Sequence, residues 1–145
     1  GGRMDMVFIC RDALANSLLS NILLAMEAQK AGKTTAVLFT EEALNALDGG
    51  VFLWPQGLQG QRTRLIMAGN AVGMDIPVML KGQGRQVNAQ GMVEKAREAG
   101  VAMYACPTWT KLLSMSGNLP AGIAEMDLDT ALKTLGQAKQ VIGSF

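Results

Sequence analysis

The chain has 145 residues, 49% of them hydrophobic and 17% charged, with 13 basic against 12 acidic side chains and a formal net charge of +1. That length and balance suit one globular domain with a core of its own and argue against disorder. Both signs of charge are spread along the chain without a basic stripe, and beyond Trp54 only Tyr104, Trp109 and Phe145 carry aromatic rings, so no nucleic-acid partner is expected.

Other classes fall away in the same manner. No apolar run approaches the ~20 residues that cross a bilayer, so no membrane span is expected. The first residues do not show a charged-then-apolar signal pattern. Residues 1–3, beginning Gly1-Gly2, read as an added or disordered start, and residues 4–145 as a single domain. Two cysteines do not make a disulfide framework, and a cytoplasmic location fits them. Histidine is absent, which removes Ser-His-Asp and Cys-His catalysis and any imidazole ligand for zinc; neither a metal nor a cofactor is expected.

Met4–Cys10 reads as a first strand, apolar apart from Asp5. Asp12 is suited to cap a helix that runs to about Lys30, in which Leu14, Leu18, Leu19, Ile22, Leu23 and Met26 share a face. Gly32 suits the left-handed position that stops it. Thr35–Phe39 is a second strand, and Thr40 caps a short helix over Glu41–Leu47. Strand, helix and strand in succession form a βαβ unit, hence a parallel sheet with a right-handed crossover.

Asp48–Gln61 is irregular, glycine-rich and studded with Phe52, Leu53 and Trp54, a composition that suits a lid or a subunit contact. The pattern then predicts a helix over Arg62–Met74, a strand over Ile76–Leu80, a helix over Val87–Ala99 and a strand over Val101–Cys106. A helix over Pro107–Met115, a short strand over Ile123–Met126 and a closing helix over Leu128–Ile142 complete the chain. The expected architecture is a three-layer α/β/α domain around a mainly parallel sheet of about five strands.

Cys106 is the most informative residue. The run Val101-Ala102-Met103-Tyr104-Ala105-Cys106 ends on it, and Pro107 then occupies a first helical position. A thiol there faces the unpaired N–H groups of a helix start, which favour a negative charge, at the strand edge where open α/β sheets hold ligands. The plain alternative is a small buried hydrophobe. Cys10 stands in the equivalent place on the first strand, as a second thiol that can meet Cys106 only if their strands are close; Arg11 beside it is either a thiolate partner or a solvated charge.

The turn Lys81-Gly82-Gln83-Gly84-Arg85 either offers backbone N–H groups and two cations to an anion or is a plain tight turn; it is neither a Walker loop nor a dinucleotide fingerprint. Thr108 and Thr110 lie close enough in sequence to hydrogen-bond a sulfur anion, or else to satisfy the helix end. Most of the ten methionines fall on apolar faces, where gap-filling in the core explains them.

The strand Val7–Cys10 with its Ala- and Leu-rich helix, Thr35-Ala36-Val37-Leu38-Phe39, Ile76–Gly84, Ala99–Cys106, Leu119-Pro120-Ala121-Gly122-Ile123 and the terminal Val141–Phe145 follow one another in an order that resembles the DsrE/DsrF-like family of small sulfur-relay proteins. The strand that ends in Ala-Cys carries most of the likeness. The resemblance implies a three-layer α/β/α domain that assembles as trimers or hexamers. It further implies that Cys106 carries a persulfide and passes sulfur from a donor to an acceptor protein or small thiol. Pro107-Thr108-Trp109 and the Asp48–Gln61 segment depart from the family pattern. A contrasting expectation is a non-catalytic oligomeric binding or assembly module in which Cys106 is inert and the Phe52-Leu53-Trp54 loop makes the contacts.

Overall fold

The structure is a computed structural model that describes residues 3–145. Gly1 and Gly2, part of the expected added start, lie outside the described residues. Four strands form the main sheet: β1 (Met6–Cys10), β2 (Thr35–Phe39), β5 (Ala102–Ala105) and β6 (Gln140–Gly143). They lie in the order β5-β2-β1-β6 with every pairing parallel. A second, two-stranded antiparallel ribbon is made by β3 (Val78–Lys81) and β4 (Gly84–Val87).

The helices are α1 (Ala15–Lys30), α2 (Glu41–Leu47), α3 (Gln61–Gly73), α4 (Gly91–Glu98), α5 (Pro107–Leu112) and α6 (Leu128–Gln137). Strand alternation divides the sheet between two apolar layers. Phe8, Cys10, Val37, Phe39, Met103 and Ala105 face the larger one, where Leu18 and Ile22 of α1, Leu44 of α2 and Met92 of α4 are buried completely. Val7, Ala36 and Leu38 face the smaller one, covered by Met126 and by Ala131 of α6. The three-layer α/β/α architecture expected from the sequence is therefore the architecture found.

Three differences have identifiable physical causes. The Ile76–Leu80 run does not join the main sheet. Its strand begins after Pro77, which lacks an N–H, and Gly82 at φ +60° lets Gly82-Gln83 reverse the chain so that β4 pairs locally. The predicted helix over Val87–Ala99 begins only at Gly91, because Val87 completes that ribbon and the Asn88 side chain accepts a bond from Gly91 N–H at 3.1 Å. The closing helix ends at Gln137; Ala138 is extended, and the β-branched pair Val141-Ile142 continues as β6 beside β1.

Helix starts differ as well. α1 begins after Leu14, and Asp12 does not cap it; that carboxylate lies 3.9 Å from Arg11 Nε. Instead, the backbone of Leu53 holds this start, with Leu53 N–H donating to Ala13 O at 3.0 Å and Ala15 N–H donating to Leu53 O at 2.8 Å. The irregular segment is thus anchored beside α1: Phe52 is buried, Trp54 is half-buried, and Leu53 is 63% exposed. At α6, by contrast, Asp127 accepts from Thr130 N–H at 2.7 Å and so caps the helix start. Replacing Asp127 with Ala is expected to lower the urea midpoint of unfolding, since it orphans that N–H; an unchanged midpoint would contradict the cap.

Candidate functional site

β5 ends at Ala105, and Cys106 takes the N-cap position of α5 with φ −60° and ψ 125°. Its N–H donates to Phe39 O at 2.9 Å, which continues the β2–β5 pairing one residue past the strand. Its carbonyl accepts from Thr110 N–H at 2.9 Å and from Thr110 Oγ1 at 2.7 Å, so the backbone at the thiol is clamped from both sides. Thr110 is buried and acts on this backbone, whereas Thr108 is exposed on the first turn of α5. Pro107 at the first helical position has no N–H to satisfy, and its fixed φ suits the helix start.

Cys106 is half-buried, and its neighbours Pro107 and Thr110 line a groove of about 350 Å³ that Cys106 itself does not line. The groove runs past Lys111 to Glu125, Met126, Asp127 and Leu128. Its two carboxylates are stabilised as anions. Gly117 N–H, at 2.7 Å, is the main cause that lowers the Glu125 pKa, followed by Ser116 Oγ. Thr130 N–H does the same for Asp127. Lys111 supplies the opposing cation within the groove. The α5 helix places Lys111 one turn after Pro107, a spacing readable from the sequence once the helix is recognised; nothing in the sequence brings Glu125 there.

Cys10 has a different environment. It is completely buried, and burial pushes its pKa up from 9.0 to about 12, with the nearby Asp12 charge acting in the same direction and the Asn21 side chain offsetting part of the effect. Asn21, itself completely buried, donates to Ser17 O at 2.9 Å. β2 lies between β1 and β5, with Cys10 opposite Phe39 and Phe39 opposite Ala105. Two strand steps put the cysteine backbones roughly 9–10 Å apart, beyond the ~4.4–6.8 Å that a disulfide spans. By alternation the side chains also start from opposite faces of the sheet. The condition under which Cys10 was to serve Cys106 as a partner thiol is not met.

Arg11 is exposed just past β1 on the same rim of the sheet, and its carbonyl accepts from Ala43 N–H at 3.0 Å. Lys81, Gly82, Gly84 and Arg85 do not follow a strand of the main sheet. They form the tip of the β3–β4 ribbon, and Gly84 packs so closely on α3 that an added Cβ would lie 2.9 Å from Leu65 Cδ2. None of them lines the groove beside Cys106. The expected sites thus separate into a sulfur rim with Cys106, Thr108 and Arg11 and a cationic ribbon with Lys81 and Arg85.

The state of Cys10 has a measurable consequence. Its folded-state pKa lies above the ordinary thiol value, so its contribution to stability is complete below pH 9.0 and is lost as pH rises toward about 12. Across that window the unfolded chain gives up the Cys10 proton and the folded chain keeps it. Urea denaturation of the wild type is expected to lose up to about 1.4 kcal/mol per pH unit more than Cys10→Ala over this range; equal slopes would contradict the sealed, neutral thiol.

Neither a protein-family model nor a curated protein matches this chain. Among solved structures, the YchN protein from E. coli is similar over 97% of this chain and 98% of its own, with a TM-score of 0.59 and 20% sequence identity. At that identity the likeness shows a shared fold: both chains have the same arrangement of layers over nearly their whole lengths.

Proposed function

We propose that this protein is a small cytoplasmic sulfur carrier of the DsrE-like kind, holding a persulfide on Cys106 and passing it to a partner thiol. The observation that carries this reading is the contrast between the two cysteines: Cys10 is sealed and protonated, and Cys106 stands partly open at the sheet rim beside a groove. The fold likeness to YchN and the strand that ends in Ala-Cys are consistent with it. The described residues include no helix long and apolar enough to cross a membrane.

In the proposed step the Cys106 thiolate attacks the outer sulfur of a donor persulfide, R–S–SH. The bond between Sγ and that sulfur forms, the donor S–S bond breaks, and R–S⁻ leaves and takes a proton from water. Transfer to an acceptor repeats the exchange in the other direction, with no net oxidation. In this reading Thr108 and the N–H groups of the first turn of α5 stabilise the sulfur anion, and Lys111 and Arg11 are the cations offered to an anionic donor. The step needs no histidine.

A second reading has its own observation. Leu65, Ile66 and Val72 of α3 and Met79 and Leu80 of the ribbon are exposed, Leu80 by 81%. Such an apolar surface fits contact with further copies of the chain, and a homo-oligomeric assembly module with an inert cysteine would need nothing more. Intact-mass analysis after treatment with a small persulfide donor separates the readings. The carrier gains one sulfur atom on Cys106, and Cys106→Ser gains none while Cys10→Ala still does. An unmodified wild type, or an adduct that persists in Cys106→Ser, would leave only the assembly module.

A further inference from the structure

Away from the sulfur rim, the chain builds a hollow whose chemistry is not used by the carrier. Trp54, Gln59, Arg64, Lys81 and Gln86 line a pocket of about 260 Å³ together with Leu53. A second hollow of about 260 Å³ shares Leu53, Trp54, Lys81 and Gln86 with it and continues toward Phe52, Met79 and Ala89. The four shared residues make the two hollows neighbours, and their volumes taken together reach the size of small-molecule sites. One end is cationic and the other mostly apolar.

Charge sharpens the picture. No carboxylate lines either hollow. Between residues 49 and 93 the chain carries Arg62, Arg64, Lys81 and Arg85 but one acid, Asp75, which is bound by Lys95 Nζ at 2.8 Å. Among the described residues none of those four cations belongs to an ion pair. Arg64 Nε is buried without a hydrogen-bond partner. That nitrogen is closed to solvent, but Arg64 also lines the hollow, and an oxyanion is the partner a guanidinium's planar fork fits best. Gln59 is held for the pocket by donating from Nε2 to Trp54 O at 2.6 Å. That bond fixes the loop carrying the indole, and Gln86 adds an uncharged amide to the wall.

We propose that this joined hollow binds a small organic anion, its carboxylate or phosphate head on Arg64 and Lys81 and its apolar body along Leu53, Trp54 and Met79. The Leu53 backbone bonds to Ala13 and Ala15 tie the site to the start of α1, so an occupant would also brace the segment that follows β1. The site stands apart from Cys106 and does not depend on sulfur carriage.

Isothermal titration of the full chain with phenyl phosphate, benzoate, inorganic phosphate and benzyl alcohol tests it. Saturable binding of phenyl phosphate or benzoate is expected, and the tighter of the two identifies the head group. Inorganic phosphate and benzyl alcohol, each lacking one half of the ligand, should bind at least about tenfold more weakly. Lys81→Gln alters an exposed side chain, and it and Arg64→Gln should each weaken the organic anion about tenfold. Cys106→Ser should leave the affinity unchanged, which separates this result from the fate of the sulfur reading. No saturable binding, equal binding of benzyl alcohol, or unaltered affinity in folded Lys81→Gln would overturn the proposal.

Discussion

The insertion of β2 between β1 and β5 is the constraint on which the chemistry of this molecule depends. Parallel pairing on both sides of β2 fixes Cys10 opposite Phe39 and Phe39 opposite Ala105. One thiol therefore ends a central strand and the other lies just past an outer one. Alternation turns the first into the larger core, under α1, and leaves the second at a strand-to-helix junction. Had β1 and β5 been neighbours, the two cysteine backbones would lie one strand step apart instead of two, still with their side chains on opposite faces. With β2 in place they are two strand steps apart, and only Cys106 is partly exposed.

Burial and hydrogen bonding then reinforce that division. Around Cys10 the completely buried side chains of Leu18, Ile22 and Asn21 exclude water, and the neutral thiol is the form that such a setting tolerates. Around Cys106 the clamp is on the backbone: Phe39 O receives its N–H, and Thr110 bonds its carbonyl twice. The residue is held in place by its backbone and remains partly exposed. Charge is segregated on a larger scale, with Glu125 and Asp127 near the sulfur rim and the unpaired Arg62, Arg64, Lys81 and Arg85 on α3 and the ribbon.

Much of this organisation can be read from the sequence, and the exceptions share a cause. Thr35–Phe39 and Glu41–Leu47 have their predicted bounds because an apolar run and a short helical pattern after it are local signals, although Thr40 makes no side-chain cap bond to that helix. Gly32 at φ +89° ends α1 as its position suggests. The Cys106–Pro107 junction was equally legible, since strand end and helix start are marked by adjacent residues. What the sequence hid was pairing. Nothing local tells Val78–Lys81 to fold back on Gly84–Val87 instead of joining the main sheet, or tells Val141-Ile142 to leave a helical pattern for a place beside β1. Those choices are decided by distant partners, and so is the order that separates the cysteines. The anion hollow was hidden for the same reason: Lys81 was visible as a turn cation, but Arg64 and Trp54 reach it from elements far away in sequence.

A carrier must both accept sulfur and release it, so the most direct measurement follows a labelled atom. Protein loaded from a donor whose outer sulfur is isotopically marked, freed of that donor and then mixed with an acceptor thiol, should lose the mark from Cys106 as the acceptor gains it. A mark that never reaches Cys106, or that stays there while the acceptor remains unlabelled, would contradict the account and make this chain a scaffold with an exposed but idle thiol.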